Sequence, residues 1–157
     1  MEDKFTHLNE KGEPGMVNIG EKAITKRTAI AQAIVFFGSD IMSKMEASGW
    51  NNKKGNILQV ALVAGTMGAK KTADLIPFCH PVGLNTCNFE FEKLSDQLRI
   101  ICTCEVEAKT GVEMEAITGV NIAAITIYDM CKSISKGIEI REVKLLSKTG
   151  GKSDFKN

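Results

Sequence analysis

Hydrophobic and polar positions change period several times along this chain, and each change marks an element. In "KRTAIAQAIVFF" (26–37), Thr28, Ile30, Ile34 and Phe36 can share one face at a period of two. That favours a strand, although the alanines leave a helix open. Ser39 is a candidate N-cap for a short helix carrying Ile41, Met42 and Met45. "GWNNKKGN" (49–56) is a loop by composition, and its last residue, Asn56, can cap the next helix. In that helix Ile57, Val60, Ala61, Ala64 and Met67 recur at helical spacing until "DLIPFCHP" (74–81) ends the run.

Two alternating segments follow. Cys87, Phe89 and Phe91 alternate with Asn88, Glu90 and Glu92. After a polar turn at 95–97, Leu98, Ile100, Cys102, Cys104 and Val106 alternate with Arg99, Ile101, Thr103, Glu105 and Glu107. This predicts a hairpin with one buried face. The longest helical signal then begins at Thr110–Glu113, which has capping-box spacing. Met114, Ile117, Val120, Ala124, Ile127, Cys131 and Ile134 continue it, and Gly137 lies where a C-terminal cap is expected. "IEIREVKLL" (138–146) reads as a last strand, with a bulge expected at Arg141-Glu142. With the first two helices taken as one connection, the order is βαββαβ. That is the ferredoxin-like α+β pattern, an antiparallel sheet with helices packed on one face.

Residues 1–24 hold four glycines and prolines between positions 12 and 20 and few apolar anchors, so a mobile or extended arm is expected there. Residues 25–157 are expected to form one domain with a basic, glycine-rich tail, "SKTGGKSDFKN". The net charge of +1 argues against a general nucleic-acid or membrane binder. The start is too polar for a signal peptide, and the nearly apolar run 57–69 is too short to span a bilayer. Five cysteines without a secretory segment read as reduced thiols in a cytoplasmic protein.

Four groups of residues have a chemical reading beside a purely structural one. Cys79-His80 sits between Pro77 and Pro81, so the imidazole is carried on a stiff segment. It is either a structural loop or a donor to an anion. No second Cys or His stands at ligand spacing, so no metal site is expected there. Cys102, Cys104, Cys87 and Cys131 read as core thiols. Lysines are usually solvated. Lys54 beside Gly55, and Lys148 and Lys152 around Gly150-Gly151, nevertheless put cations next to flexible backbone amides, which suits phosphate oxygens. Glu113 and Glu115 complement the positive end of the long helix. Asp129 and Lys132, spaced i and i+3, are a surface ion pair worth at most ~0.5 kcal/mol or, among the apolar residues 125–131, an acid-base pair. Glu115 and Asp129 lie roughly 21 Å apart along one helix. One small ligand cannot touch both within one chain, so a site using both needs a second subunit.

Three segments, "KKGNILQVALVAGTMGAKKTADLIPFCHP", "TGVEMEAITGVNIAAITIYDMCK" and "VKLLSKTGGKS", strongly resemble the cyclic pyranopterin monophosphate synthase family, molybdenum cofactor biosynthesis protein C. The resemblance runs from about residue 7 to the C-terminus. It implies a ferredoxin-like protomer in a homohexamer, a trimer of dimers, with active sites at subunit interfaces. The implied enzyme is a phosphorus-oxygen lyase that converts (8S)-3′,8-cyclo-7,8-dihydroguanosine 5′-triphosphate to cyclic pyranopterin monophosphate and diphosphate. It needs no organic cofactor, with room for Mg2+ accompanying the triphosphate. By motif, Asp129, Lys132 and Lys54 match the catalytic positions. Phe78, Cys79, His80, Glu113, Met114 and Glu115 match substrate contacts, and Arg27, Lys70, Lys148 and Lys152 match basic pocket positions. Lys71, Asn18 and Asp154 depart from the residues more usual in the family. The rival reading is a non-catalytic purine-nucleotide or RNA-binding ferredoxin-like module. Against RNA, Phe89 and Phe91 share a face with Cys87 rather than forming an exposed stacking platform.

Overall fold

The computed structural model describes residues 11–157. The first ten residues of the expected arm, His7 included, lie outside the described residues. The elements are β1 (Thr25–Phe36), α1 (Ser39–Ala47), β2 (Asn51–Asn52), β3 (Gly55–Asn56), α2 (Ile57–Lys70) and α3 (Thr72–Leu75). They continue with β4 (Thr86–Lys93), β5 (Gln97–Ala108), α4 (Glu113–Cys131), β6 (Glu139–Thr149) and β7 (Phe155–Lys156). The large sheet runs β4-β5-β1-β6-β7 with every neighbouring pair antiparallel. Its four long strands reproduce the ferredoxin-like order. β2 and β3 form a separate small hairpin. Among the described residues no helix is long and apolar enough to cross a membrane.

The hairpin β4–β5 follows the sequence pattern closely. Leu98, Ile100, Cys102, Cys104 and Val106 are buried, and Phe89 and Phe91 pack against them from β4. β1 is a strand, but its core face is the opposite of the expected one. Ala29, Ala31, Ala33 and Val35 are buried with the inward residues of β5 opposite them, whereas Ile30 and Phe36 face away. The alanines were the informative residues. α4 brings Ala116, Ala123 and Ala124 onto this face, and small side chains on both sides allow close packing of helix on sheet. The bulge in β6 is present. Its register against β1 slips between Arg141 and Lys144, with Glu142 at φ 47.

The inward face of α2 also differs from expectation. Its buried stripe is Ile57, Ala61, Gly65, Gly68 and Ala69, while Val60, Val63 and Met67 are exposed. α2 and α4 cross so closely that a Cβ on Gly65 would stand 2.6 Å from Phe89 Cζ and 3.0 Å from the Gly119 carbonyl. Periodicity alone prefers the larger side chains, and here the contact requires the smaller ones.

Helix ends differ in detail. Asn56 caps α2 as expected, accepting from the Gln59 amide at 3.1 Å. Ser39 opens α1 as its first residue, behind Gly38 in the cap position. The capping box at Thr110 does not form: Val112 is the N-cap and no side chain caps α4. Glu113 turns instead to Lys148. α4 ends at Cys131 with Lys132 as its C-cap, so Gly137, five residues further on, is not its cap.

Candidate active site

The two ends of α4 carry two separate clusters. At its N-terminal end lies a cavity of about 480 Å³. Its walls come from β1 (Arg27, Thr28), the proline segment (Phe78, Cys79, His80), the start of α4 and the tail (Lys148, Thr149, Gly151, Lys152). Arg27 is fixed by its neighbours: Nε donates to the Ala108 carbonyl at 3.0 Å and Nη2 to that of Lys109 at 3.2 Å. Lys148 Nζ lies 3.1 Å from Glu113 Oε1. That carboxylate folds back over Gly111, where a Cβ would collide with it. The tail reaches the cleft by a tight turn at Gly150, φ 84, whose amide donates to Asp154 Oδ1 at 3.1 Å. Asp154 therefore closes the turn that presents Lys148 and Lys152. Asn18 is likewise local, accepting from the Gly20 amide at 2.8 Å.

The proline segment does what its sequence dictates. Ile76 is extended before Pro77, and the Cys79 amide donates to the Ile76 carbonyl at 3.1 Å, presenting Phe78, Cys79 and His80 to the cleft. Burial, and then the charge of Glu115, push the Cys79 thiol up, so it stays protonated. Glu115 is only 4% exposed. Burial raises its carboxyl to about 7, opposed by a backbone hydrogen bond and reinforced by Glu113. The cleft thus combines fixed cations, uncapped amides at a helix start and a carboxyl that titrates near neutrality, an arrangement suited to a polyanion.

The second cluster sits at the other end of α4. Asp129 accepts from Lys132 Nζ at 2.7 Å and from Lys54 Nζ at 3.4 Å. Lys54 arrives on the β2–β3 turn, whose geometry is set by Asn52. The Asn52 side chain accepts from the Lys54 amide at 2.7 Å and donates to the Met130 carbonyl at 3.0 Å, tying the hairpin to the helix end. Lys132, then Lys54, hold the Asp129 carboxyl below its usual range, and Asp129 in turn pushes Lys132 up. Each partner thus favours the charged form of the other.

Three predicted residues, Lys54, Asp129 and Lys132, thus meet in one place. Nine others line the cleft: Arg27, Phe78, Cys79, His80, Glu113, Met114, Glu115, Lys148 and Lys152. Lys70 joins neither group and lines a different cavity with Thr66 and Cys87. Lys71 ends α2, exposed and outside the cleft. The sequence reading missed Lys22 and Lys109. Lys109 precedes Thr110-Gly111, the same cation-beside-glycine signal used for Lys54, and it donates to the Gly20 carbonyl. Lys22 comes from the segment read as an arm, where nothing in the pattern marks it.

A sequence model of the MoaC family matches residues 16–151. The chain is 45% identical over 153 residues to the cyclic pyranopterin monophosphate synthase of Xanthomonas campestris pv. campestris (strain 8004), covering 97% of this chain and 93% of that one. It is 49% identical over 155 residues to the protein of that name from Lysinibacillus sphaericus, covering 96% of each. The molybdenum cofactor biosynthesis bifunctional protein of Synechocystis is 49% identical over 155 residues, 96% of this chain and 45% of the longer protein.

Proposed function

The chain belongs to the MoaC family, and on that premise we propose that it is a cyclic pyranopterin monophosphate synthase acting in molybdenum cofactor biosynthesis. It converts (8S)-3′,8-cyclo-7,8-dihydroguanosine 5′-triphosphate to cyclic pyranopterin monophosphate and diphosphate, with residues 25–157 working as one catalytic domain. The observation that carries the assignment of roles is the Lys54–Asp129–Lys132 cluster.

Arg27, Lys148 and Lys152 bind the triphosphate, with Lys22 and Lys109 beside them, and spread the charge that builds on departing diphosphate. His80, carried on the proline segment, donates to a phosphate or ring oxygen without having to reorganise. Glu115 holds or releases a proton near pH 7. Lys132 delivers a proton during opening of the purine-derived ring. Lys54, the more loosely held lysine at 3.4 Å, exchanges Asp129 for substrate. Lys70 lines a separate cavity of its own chain. Mg2+ arrives with the triphosphate: of the two cleft carboxylates, Glu113 is engaged by Lys148 and Glu115 is buried.

The two clusters lie too far apart along α4 for one small substrate to touch both in one chain. The working site therefore joins the cleft of one copy to the lysine cluster of another. The exposed stripe of Val60, Val63 and Met67 on α2 is apolar surface of the kind that subunit contacts cover. A homohexamer built as a trimer of dimers satisfies both features. Free thiols throughout the described chain fit a cytoplasmic enzyme.

The test is incubation with the cyclised triphosphate, following diphosphate and pterin. Lys54→Ala and Lys132→Ala are each expected to fold and to lose turnover by at least about a hundredfold. Wild-type product formation by either variant refutes its role. Mixing Lys132→Ala chains with Arg27→Ala chains is expected to restore part of the activity, because some interfaces then pair two intact halves. The RNA-binding alternative requires salt-sensitive binding of single-stranded RNA, and it is disfavoured because Phe89 and Phe91 pack into the core.

A further inference from the structure

Three of the five thiols meet away from the cleft. Cys87 lies directly opposite Cys104 in the β4–β5 ladder, and Cys102 shares that face two residues earlier. Their Sγ atoms are 3.8 Å apart (87 to 102), 3.7 Å (102 to 104) and 3.8 Å (104 to 87). The centre of such a triangle is about 2.2 Å from each sulfur. An ion raised about 0.7 Å from the plane would lie about 2.3 Å from all three, the usual zinc–thiolate bond length. A tetrahedron with such bonds has sulfur–sulfur edges of about 3.8 Å, so the strand register has already set the spacing.

The surroundings fit an ion held by sulfur. Cys102 and Cys104 are fully buried, and Gly119 of α4 lies over Cys102 so closely that a Cβ would stand 3.1 Å from its Sγ. Cys87 is the partly open member. It lines a separate cavity of about 370 Å³ with Thr66, Lys70 and Asn85. That cavity offers an entry path and room for a fourth ligand from solvent. Three thiolates around a divalent ion carry a net charge of −1, and Lys70 brings the compensating charge to the same cavity. Thiolate ligands without carboxylate or imidazole select soft ions over Mg2+ or Ca2+.

We propose that Cys87, Cys102 and Cys104 form a three-thiolate site for a soft d10 metal ion, with Zn2+ as the best fit, tying β4 to β5 beneath α4. Binding forms three metal–sulfur bonds and releases the three thiol protons. The site is independent of the synthase reading.

The test uses the full chain, reduced and stripped with a chelator, titrated first with Co2+ and then with Zn2+. One Co2+ per chain is expected, with intense sulfur-to-cobalt charge-transfer absorption that an equivalent of Zn2+ bleaches. Zn2+ is also expected to shield Cys87, the one partly open thiol of the three, from alkylation, mapped by mass spectrometry, while labelling of Cys79 does not change. Cys87→Ser changes the least buried ligand, and circular dichroism checks that it folds. It is expected to weaken Co2+ binding at least about tenfold and to remove about a third of the charge-transfer intensity. Cys79→Ala leaves both unchanged. No charge-transfer band, an undiminished band in Cys87→Ser, or alkylation of Cys87 that Zn2+ does not slow overturns the proposal.

Discussion

Glu115→Gln isolates the ionisation of one buried carboxyl. Glu115 is 4% exposed in the first turn of α4, and its pKa is about 7 against an ordinary 4.5. The unfolded chain releases this proton near pH 4.5, while the folded chain keeps it to about pH 7. Through that window the folded state binds more protons, so unfolding free energy falls as pH rises and levels off above the folded pKa. The gap between the two values corresponds to about 3 kcal/mol. Glutamine keeps the shape of the neutral acid and never ionises. Trp50, the only tryptophan, is buried against Phe37, so its fluorescence reports unfolding in urea. At fixed protein concentration, Glu115→Gln is expected to match wild type near pH 4, below the unfolded pKa, and to exceed it by about 3 kcal/mol at pH 8. A difference between the two proteins that does not change with pH refutes the assignment.

Gly65→Ala is expected to lower stability by about 1–3 kcal/mol in thermal unfolding, because the new methyl overlaps Phe89 and the Gly119 carbonyl. Gly83→Ala, with open space around it, is expected to be neutral. Arg27→Lys loses the fork that holds the Ala108 and Lys109 carbonyls, and a rise of about tenfold in KM with a smaller change in kcat is expected from steady-state kinetics. Gly150→Ala forces a side chain into the left-handed region and against the Lys26 carbonyl. Weakened inorganic triphosphate binding is expected by calorimetry, since the turn carrying Lys148 and Lys152 must shift.

Legibility in the sequence followed the size of the residues. The alternation of Leu98 to Val106 had one large apolar face, so strand and inward side were both readable before any coordinates. The same period in β1 predicted a strand but the wrong face, because its core side is alanine. α2 misled in the same way, since Gly65 and Gly68 rather than Val60 and Met67 meet α4.

The chemistry divided along similar lines. Asp129 and Lys132 are three residues apart on a helix, so their pairing is local and follows from spacing alone. That Lys54 joins them depends on Asn52 fastening a distant hairpin to the helix end. The motifs named most of the cleft, but its assembly rests on long-range strand order. β1 must lie between β5 and β6 for Arg27 to meet Lys109 and the tail. The sequence by itself determined the kinds of element, the inward face of the hairpin, the family and the groups available for chemistry. Only the tertiary structure decided which small residues form the core, that Lys70 stands apart from the cleft, and that three thiols share one corner. Those facts depend on distances between segments far apart in the chain, which local periodicity does not encode.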